Sequence, residues 1–275
     1  MLTPNFFTTV FVFPILNLLI LFYHVFLFVK VPGAFGFAII ALTVVVRLLL
    51  QPFFRQQMHT AKKMQDIKPH LDRLSEKHKG DKQRIQQEQL KLYQQAGINP
   101  ASGCLFLIIQ IPIFIALYNT LLLFFVNGKG AKLIQEVNNV LYSPFLKIQS
   151  INPLFYGFNL ALSPQKSGVW YYYLLPAVTA FLQYYQVKIS TPQTPKKTDT
   201  VPLLTDSVQG KEKKESSQEN FQQAMNTQMK FIFPILIGWF SYTLPVGLSL
   251  YWNIFSIFSI IQYNNLKTKS TDVKS

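Results

Sequence analysis

The chain has 275 residues, 49% of them hydrophobic, a mean hydropathy of +0.21 and a net charge of +14. That is too apolar for an ordinary soluble domain, and the basic residues lie beside apolar runs, which marks a polytopic membrane protein rather than a specific nucleic-acid binder. The single cysteine, Cys104, excludes an internal disulfide, and no His or Cys cluster has metal-ligand spacing, so neither a metal nor another cofactor is expected.

The N-terminus, MLTPNFFTTVFVF, has no positively charged leader region, no small-residue cleavage site and no Arg- and Ser-rich transit composition. This favours a bacterial membrane protein over a mitochondrial precursor. Residues 5–29 are apolar, with Asn17 and His24 on one helical face, and either span the bilayer or lie at its interface. Residues 34–54 are long enough to cross and carry Arg47, with Thr43 four residues earlier on the same face. A charge at mid-membrane costs about 2.5–3.5 kcal/mol on translocon scales, so an arginine there points to a partner or a wet cavity. The alternative is snorkelling, in which its long stem carries the charge to the interface.

Residues 55–99 hold ten Lys or Arg against five Asp or Glu. Their apolar positions recur at three and four and divide at Gly80 and Asp81, which predicts a helical hairpin. Lys68 with Asp72, and Glu88 with Lys91, set opposite charges at helical spacing. A span follows at 103–126, interrupted by Gln110 and Pro112, then a sparsely basic extracytoplasmic loop at 127–168 and a span at 169–187. Residues 188–230, with seven Lys, five acids and several prolines, read as a flexible cytoplasmic loop. Residues 231–266 read as two short spans turned by Pro245 and Gly247, and 267–275 as a basic cytoplasmic tail. The positive-inside rule puts the hairpin, the 188–230 loop and the tail in the cytoplasm.

Gln110, near mid-span, either lines a wet cavity or packs helices through its amide. The last span carries Ser249, Trp252, Asn253, Ser256 and Ser259 at spacings of three and four. Three polar faces and one cation predict a hydrated groove with apolar walls. No acidic residue lies in any span to pair with Arg47, no phosphate-binding loop is present, and no nucleophile stands with a base. An enzyme is therefore not expected; an unpaired cation in a wet groove attracts negative charge.

The strings TVVVRLLLQPF (43–53), KMQDIKPHLDRL (63–74), DKQRIQQEQLKLYQQAGINPASGCLFLIIQIPIFIALYNTL (81–121) and LPVGLSLYWNIFSIFSIIQ (244–262) resemble the YidC family of membrane protein insertases. The resemblance implies an all-α polytopic membrane protein, with a five-helix transmembrane core around a hydrophilic groove and a cytoplasmic helical hairpin. It implies an insertase and folding chaperone that passes hydrophobic segments of nascent membrane proteins into the lipid bilayer without nucleotide hydrolysis. Arg47 matches the groove arginine of the family. Thr43, Gln110, Tyr251 and Trp252 match positions that line the groove or meet the substrate, and Asn253 and Ser256 continue the same stripe. The resemblance also makes the helix within 1–33 interfacial, on the outer surface. The hairpin then receives substrates and the tail lies near the ribosome, which makes the ribosome and a Sec-type channel candidate partners. A small-anion transporter or channel is the alternative reading of the same cation.

Overall fold

Prolines and short polar breaks divide a chain that is helical over most of its length. The computed structural model describes residues 2–78, 81–97, 102–125, 130–190 and 217–272. A π-helical turn, Thr8–Val12, leads into α1 (Phe13–Phe28), and the two together are long and apolar enough to cross a membrane. Lys30 and Gly33 take positive φ and turn the chain into α2 (Ala34–Leu49). Helix α2 stops at Leu50 and α3 (Gln51–Lys77) starts at once, bent from it by 61°. Pro52 explains the break, because it has no N–H to donate to Leu48 and restricts the residue before it. The helix expected over 34–54 is thus broken at Leu50, and residues 51–54 belong to α3.

Helix α4 (Lys82–Gln95) returns alongside α3 after the break read at Gly80 and Asp81. Asp81 caps it by accepting a hydrogen bond from the Arg84 N–H. Glu88 and Lys91 form an exposed ion pair at 3.0 Å, which holds the Glu88 carboxyl below its ordinary pKa. The Lys68 side chain lies outside the described residues.

Helix α5 (Ser102–Phe125) passes Pro112 without ending. Residues 130–173 then form a folded cap: α6 (Gly130–Asn138), a two-stranded antiparallel ribbon of β1 (Leu154–Phe155) and β2 (Phe158–Asn159), and the short α7 (Pro164–Ser167). Phe155 of the ribbon fills a notch at the start of α2, where a Cβ on Gly33 would stand 2.7 Å from its ring and a Cβ on Gly36 would overlap it. Asn17 anchors the other side of the cap, donating to the Val140 carbonyl and accepting from the Tyr142 N–H. His24, on the same face of α1, contacts the Leu146 carbonyl. The face shared by Asn17 and His24 is therefore turned toward the cap.

Helix α8 (Leu174–Ser190) leaves the cap, α9 (Ser217–Thr243) returns to it, and α10 (Val246–Asp272) leaves it again. The turn expected at Pro245 is present, and the N–H groups of Val246 and Gly247 donate to the cap carbonyls of Leu162 and Leu160. Helix α9 begins 14 residues before the expected span start at Phe231, so residues 217–230, expected as part of a flexible loop, are helical. Their sequence, SQENFQQAMNTQMK, has no proline or glycine and is rich in helix-favouring Gln, Met and Ala. Residues 191–216 of that expected loop lie outside the described residues.

Helices α2, α8 and α10 thus start at the cap, and α9 ends at it. Helix α10 packs on α2 and α8, and α8 packs on α9. A buried hydroxyl chain joins three helices: Thr179 of α8 meets Ser241 of α9 at 3.1 Å, and Ser241 meets Ser249 of α10 at 2.7 Å. Nearby, Gly238 lets α9 approach α8, since a Cβ there would stand 3.0 Å from that of Ala180. Small residues and interhelical hydroxyls are what hold helices together when lipid removes the hydrophobic incentive.

Candidate functional site around Arg47

Arg47 lies two residues before the end of α2, about 20 Å along the helix from its start at 1.5 Å per residue. Only 1% of it is exposed. Nη2 donates to the backbone carbonyl of Phe255 at 2.9 Å and also to the Ser259 hydroxyl, both on α10. Two rings flank the guanidinium, Phe255 at 3.5 Å from its central carbon to the ring centroid and Phe54 at 4.0 Å. Cation–π contacts of this kind are worth about 2 kcal/mol each when desolvated, which goes some way toward offsetting the cost of burying the charge. Nε and Nη1 are buried and have no hydrogen-bond partner among the described residues. No carboxylate pairs with Arg47 among them either.

The other expected site residues divide into two neighbourhoods. Thr43 is buried one turn before Arg47, and its hydroxyl donates to the Ile39 carbonyl of its own helix at 2.7 Å. Tyr251, one turn before Phe255, lies near enough to Arg47 to interact with it electrostatically. Trp252 is turned to α5, where its ring stacks on Phe114 with centroids 6.0 Å apart and an angle of 15°, and Tyr251 also contacts Phe114 at 6.3 Å. Asn253 Oδ1 and Ser256 Oγ are buried without a hydrogen-bond partner among the described residues. Gln110 lies on α5, with its side chain outside the described residues.

Helix α10 is thus the common wall, reaching Arg47 through Phe255 and Ser259 and α5 through Tyr251 and Trp252. Buried polar atoms without partners are rare in packed interiors. Among those in the described residues, two belong to Arg47 on α2 and one each to Asn253 and Ser256 on α10. Sequence reading missed the two phenylalanines. Phe54 looks like one more apolar residue at a span's end, and only its spacing of seven from Arg47 hints at a shared face.

A family model described as 60Kd inner membrane protein matches residues 27–272, nearly the whole chain. The chain belongs to this family. The YidC-family membership expected from the motifs in α2, the hairpin, α5 and α10 is borne out, and the all-α polytopic membrane fold with it. The YidC membrane protein insertase of Oceanobacillus iheyensis is 30% identical over 96% of this chain and 86% of its own. The chloroplastic inner membrane ALBINO3-like protein 2 of Chlamydomonas reinhardtii is 32% identical over 86% of this chain and 51% of its own. The chloroplastic inner membrane protein PPF-1 of Pisum sativum is 32% identical over 85% and 49%. The chain therefore spans about half the length of its chloroplast relatives and most of the Oceanobacillus protein.

Proposed function

We propose that the chain is an insertase and folding chaperone of the bacterial plasma membrane, acting on hydrophobic segments of newly made membrane proteins. The observation that carries this reading is the buried Arg47, which faces α10 with two donors unspent and no carboxylate among its described neighbours. Such a group serves a transient negative partner better than a permanent one. The short acidic or polar tail of an entering client is such a partner.

In this reading the client meets the α3–α4 hairpin first, its tail reaches Arg47, and Asn253, Ser256 and Gln110 supply hydrogen-bonding groups that lower the tail's desolvation cost. The hydrophobic segment then leaves into lipid. A span of about 20 residues suffices to cross the hydrocarbon core, and burial yields about 25 cal/mol per Å² of apolar surface. That free energy drives the step without nucleotide hydrolysis or a covalent intermediate. The cap over the starts of α2, α8 and α10 closes the outer end, and the basic hairpin lies on the cytoplasmic side. The helix at 8–28, expected at the interface, is long enough to span; we keep the interfacial placement as part of the proposal, with its Asn17 face held under the cap. The ribosome, on the cytoplasmic side, and a Sec-type channel are the further partners of this reading.

Photoreactive residues placed at Asn253 and Ser256 test the site during synthesis of a single-span client. Crosslinks that form while the client is half-inserted and vanish once it is released are expected. Absence of crosslinks at both positions, with a control position on the hairpin giving them, would contradict the proposed path.

A further inference from the structure

The arginine proposed to receive the client's tail is covered. Phe54 is 8% exposed and lies between the half-exposed Phe53 and the exposed Arg55, its ring turned inward over the guanidinium. On a straight helix, residues seven apart lie about 10 Å apart along the axis. Helix α3 is bent by 61° from α2 at Leu50 and touches α10, and the Phe54 ring stands 4.0 Å from Arg47. The bend is written in the sequence by Pro52. Leu50 sits at φ −86°, ψ 0°, where its N–H closes α2 on Val46 and its carbonyl accepts from Phe54 to open α3.

Phe54 and Arg47 therefore belong to different helices joined by one residue. Phe255 belongs to α10, whose carbonyl and Ser259 hold the guanidinium from the other side. One ring is fixed in the wall; the other rides on the hairpin. We propose that Phe54 is a positioning residue that shuts Arg47 off until the hairpin is displaced, so that the cation is presented only when a client moves α3. This rests on the reading of Arg47 as the tail-receiving group and adds the condition under which it acts. The guanidinium that the ring covers has two unspent donors, Nε and Nη1, for displacement of Phe54 to make available.

Arginine-selective labelling with phenylglyoxal, read by peptide mass spectrometry on the purified full chain in liposomes, tests the cover without any client. The chain has four arginines, and Arg55, Arg73 and Arg84 are exposed and serve as internal references. Arg47 should label slowest. Phe54→Ala should raise its rate relative to the other three by about tenfold or more, and Phe54→Trp, a stronger cation–π partner, should leave it as slow as before or slower. An unchanged Arg47 rate in Phe54→Ala would overturn the proposal. So would an equal rise in Leu121→Ala, a buried core change on α5, since general loosening would then explain the effect. A negative labelling result leaves the insertase reading standing. Positive labelling with no effect of Arg47 substitution on insertion would sink that reading instead.

Discussion

Arg47 combines a costly burial with contacts that are dispensable for folding. The Phe255 carbonyl and the Ser259 hydroxyl already bond to each other at 2.9 Å, so removing the guanidinium orphans neither. Replacing a buried, unpaired charge by an apolar side chain removes the cost of desolvating it. Arg47→Leu should therefore hold or raise the melting temperature in detergent micelles while slowing clients with acidic tails, by about tenfold for about 1.4 kcal/mol of lost attraction. A fall in stability together with unchanged insertion would reverse the assignment. Asn17 is the opposite kind of residue: Asn17→Ala leaves the Tyr142 N–H and the Val140 carbonyl without this partner, at a cost of about 1–3 kcal/mol in thermal or denaturant unfolding. The importance of Arg47 was legible because a lone cation in an apolar run is anomalous on its face. Thr43 was legible as its neighbour, but its hydroxyl turns to its own helix, an option that spacing alone does not reveal.

Two helix boundaries were readable from breaking residues: the start of α4 after Asp81, and the turn at Pro245 between α9 and α10. The early end of α2 at Leu50 is also a proline effect, yet the apolar residues running past it concealed the break. The start of α9 was hidden differently, because polar composition suggests a loop although Gln- and Ala-rich sequence is good helix former. The cap could not be read at all. Its ribbon depends on Phe155 meeting Gly33 and Gly36 across more than a hundred residues, and no local pattern encodes such a pairing. Gly36→Ala should cost about 1–3 kcal/mol by overpacking against that ring. Pairing it with Phe155→Leu should recover part of the loss, as measured by thermal unfolding of single and double variants. If the double variant shows no recovery, the notch is not what holds the ribbon.

At the scale of the whole molecule, a folded cap sits at one end of the helices and a basic hairpin at the other, with a buried cation between them nearer the hairpin. This polarity suits one-sided entry. A channel for small anions needs a path through both ends, whereas the cap ties α1, the start of α2 and the α9–α10 turn together by hydrogen bonds and ring packing. The most direct test is protease protection of a small single-span client with an acidic tail, translated beside liposomes that contain only this protein, with empty liposomes as control. Protection well above the control, reduced by Arg47→Ala for acidic tails more than for neutral ones, is the predicted result. Protection no greater than in empty liposomes, with the protein shown to be folded, would contradict autonomous insertion.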